Sequence, residues 1–267
     1  MKKIIVLVLA LMMLAFSACT QETEESVPTY NESGVSQSDI GDEEPPAAEP
    51  IFAETRQEAY YLAMSRFSTD CFFPDGSFAE GLEDDTFGKM EDNSFAVCDV
   101  DGDGNEELVI IFKTTCRALL SARVYDYNEE TGELIEEWEA CPSVKFYDNG
   151  YAVSNHPKNE THGTVWPYAV YCHMADTDKY EFVANVHSLC DDVESMPDCP
   201  WDYPYEVDVS GHGEVYYVDT TWGAYEEGRA LDITEYEAWL DSKIGDAKEI
   251  NVEYFPITQE NVNNQLG

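Results

Sequence analysis

The pattern of apolar and polar positions changes from helical to strand-like early in the chain. Over residues 52–67 apolar side chains recur at helical spacing, and Thr55 with Glu58 matches a capping box, so we expect a helix there. Residues 68–93 are rich in Gly, Asp and Ser, which predicts a loop. From Phe95 onward, short β-branched and aromatic runs alternate with turn residues, as is typical of antiparallel strands.

This alternation predicts nine strands. Two pairs of them are expected to form hairpins, because the segments 128–132 and 148–150 both supply Gly to a turn. The expected strands cover residues 95–98, 108–112, 123–127, 133–138, 145–147, 151–153, 169–173, 180–186 and 214–218.

Near the C-terminus the pattern predicts one short helix and a last extended segment. Thr234 and Glu237 match a second capping box, and the apolar residues that follow stop before Gly245. Residues 250–255 are expected to be extended up to Pro256. The whole order predicts an α+β fold dominated by an antiparallel β-sheet meander, with an N-terminal helix and a short C-terminal helix.

One acidic loop between the first two expected strands has the pattern of a cation site. Its candidate ligands are oxygen donors at alternate positions, namely Asp99, Asp101, Asp103, Asn105 (through its backbone carbonyl) and Glu107. Gly104 permits a sharp turn, and hard oxygen ligands of this kind suit Ca²⁺. The twelfth position is Ile110 and the flanking runs favour strands, so the loop is not an EF-hand.

The motif resembles the D-x-D-x-D-G-x-x-[DE]-L loops that join strands in FG-GAP and VCBS-type repeats. It is more similar still to a family of uncharacterised bacterial lipoproteins that carry a single DxDGDGxxEL hairpin. This resemblance implies that Asp99, Asp101, Asp103 and Glu107 are calcium ligands. No second DxDxDG loop occurs in the sequence, so a propeller of repeats is not expected. The alternative is an acidic turn that binds no metal, because Asp and Gly are common in turns.

The first residues have the parts of a bacterial export signal. A short basic head precedes an apolar core over residues 4–16, which is too short to span a membrane. The end of this core resembles a lipobox, which implies cleavage before Cys19 and acylation of its thiol. We therefore expect residues 1–18 to be a lipoprotein signal peptide and Cys19 to anchor the chain to the extracytoplasmic face of the cell membrane. The alternative is a plain signal peptide followed by an ordinary cysteine.

Composition divides the remainder into a tether and a domain. Residues 19–50 are rich in Glu, Ser, Asp and Pro and poor in aliphatic residues, so we expect a disordered acidic tether after the lipidated cysteine. Residues 51–267 contain no second linker and are expected to form a single β-rich calcium-binding domain. The formal net charge of −41 argues against nucleic acid and bare anionic membrane surfaces as partners.

Other chemistry is weakly marked in the sequence. The five histidines show no HExxH or comparable spacing, so none is expected to bind a metal. The alternative is a zinc site that would join His187 and Cys190 to Cys172 and His173 if their strands met. Cys190 and Cys199 bracket an acidic loop and are the best candidates for a disulfide. Trp201 and Trp222 lie in Gly- or Pro-containing segments where exposed rings could stack on sugars, although such rings more often complete a core.

Together these features predict a membrane-anchored extracytoplasmic lipoprotein with a structural calcium site and a binding or envelope-associated role. Its partner could be a carbohydrate or another envelope component. No catalytic residue is predicted, because the sequence has no nucleophile elbow, P-loop or dinucleotide fingerprint. The alternative is a secreted, calcium-stabilised hydrolase of glycans or cell-wall material. A deep cleft with two carboxyls of raised pKa would favour the hydrolase, and a shallow aromatic patch would favour the binding protein.

Overall fold

The computed structural model describes residues 47–81, 87–157, 163–192, 202–221 and 229–267. Three α-helices occur in this part of the chain: α1 (Arg56–Asp70), α2 (Ile233–Asp241) and α3 (Gln259–Leu266). In these described segments no helix has the length and apolar character needed to cross a membrane.

Eleven strands occur in the described residues, and every strand pair is antiparallel. They are β1 (Ser94–Cys98), β2 (Glu107–Phe112), β3 (Ser121–Asn128), β4 (Glu133–Ala140), β5 (Ser143–Phe146), β6 (Tyr151–Asn155), β7 (Tyr168–Met174), β8 (Lys179–Cys190), β9 (Glu214–Asp219), β10 (Arg229–Leu231) and β11 (Phe255–Pro256). The first sheet has the order β11-β1-β2-β3-β4, and the second has the order β10-β9-β8-β7-β6-β5. The predicted α+β fold with dominant antiparallel sheet is confirmed.

Apolar clusters stack these elements in four layers: helices, first sheet, second sheet and helix. The outer cluster of the first sheet joins Leu108 and Phe112 of β2 to Phe67 of α1 and Val262 of α3. Successive residues of a strand point to opposite faces, so the neighbouring Val109 of β2 faces the second sheet instead. Both faces of this sheet are therefore buried, which explains the unbroken apolar run of β2.

The cluster between the sheets is aromatic. The ring of Trp138 on β4 stacks on Tyr180 at 5.0 Å between centroids and meets the edges of Phe146 and Tyr171 on the second sheet. On the far side of the second sheet, α2 packs through Tyr236, whose ring stacks on Tyr216 at 4.2 Å. Each sheet thus buries both of its faces.

The helix boundaries follow from their caps. The Thr55 side chain accepts a hydrogen bond from Glu58 N, as the capping box predicted. The second predicted box is wrong, because Asp232 caps α2 and its side chain accepts from Thr234 N and Oγ1. Because Asp232 accepts both of these hydrogen bonds, it is the N-cap in place of Thr234, and the helix begins two residues earlier than predicted.

The nine predicted strands all have counterparts, with boundaries that differ by a few residues; β5, for example, begins before the predicted segment 145–147 and ends at Phe146. Three elements differ from expectation. The C-terminal helix α3 and the short strand β10 were not predicted, and only Phe255 of the segment 250–255 belongs to a strand.

Candidate metal centre

The acidic loop 99–106 lies between β1 and β2, where Cys98 pairs with Glu107 across the hairpin. Each aspartate of the loop accepts a backbone hydrogen bond from a residue further along. Asp99 Oδ1 accepts from Gly102 N at 2.8 Å, and Asp101 Oδ1 accepts from Asp103 N at 2.9 Å. These bonds make successive Asx turns, which curl the backbone of the loop.

The two glycines of the loop are required by backbone conformation. Gly102 has φ 86° and Gly104 has φ 95°, a region that residues with a Cβ rarely adopt. The space beside Gly104 is open, so conformation alone selects glycine there. The expected sharp turn is present.

Three of the five predicted ligands converge. Asp99, Asp101 and Glu107 each place a carboxylate oxygen within 4.8 Å of the others. Glu107 is only 1% exposed, and its Oε2 accepts from Val100 N at 2.7 Å. Asp103 is outside this group, because its two oxygens accept from the backbone and side-chain N–H groups of Asn105 at 2.6 and 2.8 Å.

The electrostatics of this group favour a cation. Burial raises the pKa of Glu107 to about 8, and Asp101 and Asp103 add to the rise although the Val100 N–H opposes it. Burial also raises the pKa of Asp101. Two carboxylates about 4 Å apart repel by ~4 kcal/mol at an effective dielectric near 20. Hard oxygens, burial and mutual repulsion together fit Ca²⁺.

Both ends of the loop are held by other layers of the fold. The carbonyl of Glu106 accepts from Tyr60 Oη at 2.7 Å and from Arg56 Nη1 at 3.0 Å, both on α1. The carbonyl of Val100 accepts from Tyr180 Oη of β8 at 2.8 Å. The loop is therefore fixed before any ion binds, which lowers the entropy that binding must overcome.

Sequence reasoning missed three residues beside this loop. His173 of β7 places Nδ1 3.1 Å from Asp101 Oδ2, although no histidine was expected at a metal site. Glu137 of β4 and Asp178, in the turn before β8, also approach Asp101. Glu137 is the extra residue of a β-bulge, because Val124 pairs with Trp138 while Tyr125 pairs with Glu136. Nothing in the sequence marks a bulge there.

The other predicted site residues lie outside the described residues. These are the lipidation site Cys19, the tryptophans Trp201 and Trp222, and the disulfide candidate Cys199. A cavity of 660 Å³ lies between β9, β10 and α2. Its wall combines Trp239 with Asp219, Arg229 and Glu235, so an aromatic face stands beside polar groups of both signs.

Comparisons of the chain with protein-family models, curated proteins and solved structures gave no significant match. Function is therefore inferred from the geometry of the acidic loop and its surroundings.

Proposed function

We propose that the protein is a membrane-anchored extracytoplasmic lipoprotein whose β-rich domain is stabilised by one Ca²⁺ in the loop 99–107 and has a binding or envelope-associated role. The observation that carries the proposal is the convergence of Asp99, Asp101 and Glu107. Their oxygens lie within 4.8 Å of one another at the base of the first hairpin, and Glu107 is buried with a raised pKa. Such a group is costly without a cation.

The calcium ion would be structural. It would join the start of the loop to the first residue of β2, since Asp99 and Glu107 lie at opposite ends of the segment. Extracellular calcium modules commonly bind with dissociation constants on the order of 10⁻⁴ to 10⁻³ M. A site of that affinity is filled at extracellular calcium concentrations and supports the fold without acting as a sensor.

A binding role is supported by the cavity beside α2. Trp239 offers a ring for stacking, and Asp219, Arg229 and Glu235 offer hydrogen-bond partners, a combination that suits a carbohydrate or another polar envelope component. The strong negative charge of the chain argues against nucleic acid as the ligand.

The hydrolase alternative has no specific observation in its favour. The described carboxyls with raised pKa values are Asp101, Glu107, Asp126, Glu136 and Glu137. None of these five carboxyls lines the cavity beside α2 or the two smaller cavities beside Cys141 and Val144 in the described part of the chain. The raised values are explained by burial among other acids.

Calcium dependence of the melting temperature tests the structural site. For the full-length protein in detergent, saturation to about 100 times the dissociation constant adds ~2.7 kcal/mol. This raises the melting temperature by about 5–10 °C for a domain of this size. Asp99→Asn with Asp103→Asn should abolish the rise, because both changes remove charge while keeping the oxygens that accept the Gly102 and Asn105 N–H groups.

The control for this experiment is Asp246→Asn, which removes one exposed aspartate far along the chain and should leave the calcium response intact. All samples contain high NaCl, so that general screening of the acidic surface is already complete. A calcium rise that survives in the double variant would show that the loop does not bind the ion. Equal rises with Mg²⁺ and Ca²⁺ would also contradict a calcium-selective site.

The anchor is tested by replacing the predicted lipidation site. With Cys19→Ser the exported protein should leave the membrane fraction and lose labelling by palmitate, because no thiol remains to carry acyl chains. Cys116→Ser, which changes an exposed cysteine of the described domain, is the matched control and should stay membrane-bound. Membrane association that persists without Cys19 would contradict the lipid anchor.

A further inference from the structure

A second group of ligating side chains shares Asp101 with the calcium loop. Glu137, His173 and Asp178 join Asp101 in a cluster in which each residue places one ligating atom within 4.8 Å of the others. The four residues come from the first hairpin loop, β4, β7 and the turn before β8. Only folding brings them together, since β4 belongs to the first sheet and β7 to the second.

Two atoms of this cluster are buried without a hydrogen-bond partner. Glu137 is 4% exposed, and its Oε2 has no partner. The His173 side chain is 6% exposed, and its Nε2 has none either. Buried polar atoms are almost always satisfied, so two orphans in one cluster call for an additional group between them. A metal cation would accept lone pairs from a Glu137 carboxylate oxygen and from an imidazole nitrogen that carries no proton.

The contacts of the imidazole ring decide which nitrogen would bind an ion. Nδ1 lies 3.1 Å from Asp101 Oδ2, close enough to donate its proton there, which leaves the lone pair on Nε2. Nε2 faces Asp178 Oδ1 at 3.5 Å. Two ligands about 2.1 Å from one tetrahedral ion are ~3.4 Å apart, so this separation suits shared coordination. A carboxylate that orients a ligating histidine through its second nitrogen is the usual arrangement in metal sites.

The negative charge of the second cluster and its access to solvent are both compatible with a bound cation. The carboxylates of Asp101, Glu137 and Asp178 each place an oxygen within 4.8 Å of the others, so their mutual repulsion favours a cation between them. The Asp178 side chain is 49% exposed, so an ion can enter from that side. The ring of Tyr180 packs against His173 at 5.3 Å and holds the imidazole in place.

We propose that His173 Nε2, Glu137 and Asp178 bind a divalent transition-metal ion, with Asp101 as the positioning residue that orients His173. The three proposed ligands lie outside the calcium loop, and only Asp101 belongs to both groups, so the site goes beyond the proposed function. One imidazole and two carboxylates suit Mn²⁺, Fe²⁺ or Zn²⁺, whereas Ca²⁺ takes oxygen ligands. Asp101 is shared by the two groups, so it connects the proposed metal site to the calcium loop.

The test uses Mn²⁺, because the eight cysteines of the chain would bind Zn²⁺ and confuse the count. Full-length protein in detergent and excess Ca²⁺ is titrated with Mn²⁺, and free Mn²⁺ is measured by electron paramagnetic resonance. We expect one tightly bound equivalent that excess Ca²⁺ does not displace. His173→Gln and Glu137→Gln should each weaken binding by about 10–100-fold or more.

Two matched variants separate this site from the loop and from the surface. His212→Gln changes an exposed histidine and should bind Mn²⁺ as the unaltered protein does. Asp99→Asn changes a residue of the loop group that the second cluster does not contain, so it should weaken Ca²⁺ binding while leaving Mn²⁺ binding intact. Loss of Mn²⁺ binding in Asp99→Asn but not in His173→Gln would place the ion in the loop and overturn the proposal. Absence of Mn²⁺ binding in excess Ca²⁺ would overturn it as well.

Apo stability provides a readout that a purely structural role of Glu137 would not give. Glu137→Gln removes one of three crowded carboxylates, so without metal it should melt at or above the temperature of the unaltered protein. It should also lose the rise that Mn²⁺ produces. If either variant fails to fold, anomalous scattering from Mn²⁺-bound crystals of the unaltered protein decides the question. A peak within about 2.5 Å of His173 Nε2 supports the site, and its absence overturns it.

Discussion

At the scale of single residues, the described fold tolerates a buried charge where enough donors converge on it. Glu214 on β9 is buried and accepts hydrogen bonds from the hydroxyl groups of Thr164, Ser188 and Tyr216 at 2.7–2.9 Å. Burial alone would raise the pKa of this carboxyl. The hydrogen bonds from Thr164, Ser188 and Tyr216 outweigh burial and lower the pKa below its ordinary value. The ionised form is therefore the stable form in the folded protein.

Replacing Glu214 should change both stability and its pH dependence. Glu214→Gln loses charge-assisted acceptors, so we expect about 1–3 kcal/mol less free energy of unfolding at neutral pH. The folded pKa lies below the unfolded value of ~4.3, so the contribution is complete above that value and is lost as the pH falls through the folded pKa. The deficit of the variant should therefore shrink in acid, as measured by denaturant unfolding at neutral and acidic pH.

Glu181→Gln, at an exposed position of β8, is the control for this measurement and should cost less than about 0.5 kcal/mol at any pH. A deficit in Glu214→Gln that stays constant from neutral to acidic pH would mean that the carboxylate gains nothing from its ionisation in the folded state.

Some residues of the candidate metal centre could be predicted from the sequence and others could not. Asp99, Asp101 and Glu107 belong to one short segment, so their spacing and the intervening glycines carried the necessary information. His173 and Glu137 reach Asp101 only through the packing of two sheets and a bulge in β4. Sequence spacing does not contain that information, which is why the histidine was expected to have no metal role.

At the scale of elements, local signals predicted α1 and the hairpins well. The capping residue Thr55 and the turn glycine Gly150, with φ 79°, act within a few residues of themselves. Helix α3 escaped prediction because its sequence QENVNNQL has only two apolar residues, Val262 and Leu266. Both are buried against the outer cluster of the first sheet, so tertiary packing stabilises a segment of weak helical propensity.

The division into two sheets was also beyond the sequence pattern. An unbroken meander would pair β4 with β5, but these strands lie in different sheets. The link between them contains Pro142, which has no N–H to donate, and it turns the chain from one layer to the next. Period-two alternation identifies strands but does not show which strands pair. The stacking of the two sheets depends on long-range packing, such as that of Trp138 against Phe146, Tyr171 and Tyr180.

At the scale of the whole molecule, charge opposes the compact state. The chain has 55 acidic residues against 14 lysines and arginines, so folding brings many like charges together. Burial is the main cause of the raised pKa values of Glu107 and Glu137, and neighbouring carboxylates add to the rise. Repulsion between dispersed surface charges is screened by salt of any kind, whereas repulsion within a buried cluster is relieved only by an ion that enters it.

This distinction predicts two separable effects of cations on stability. In EDTA, raising NaCl from about 0.01 M to 1 M shortens the screening length from ~30 Å to ~3 Å. The melting temperature should then rise by at least ~3 °C, which corresponds to about 1 kcal/mol for a domain of this size. Asp99→Asn with Asp103→Asn should keep this NaCl response, because it removes only two of the many acids. The double variant should nevertheless lose the calcium response that persists at high salt.

A melting temperature that does not change with NaCl would contradict destabilisation by self-repulsion. A calcium response that disappears at high salt would mean that calcium acts only by screening. Because the buried oxygens of the loop have little contact with the ionic atmosphere, we expect the calcium response to remain after the salt response has saturated.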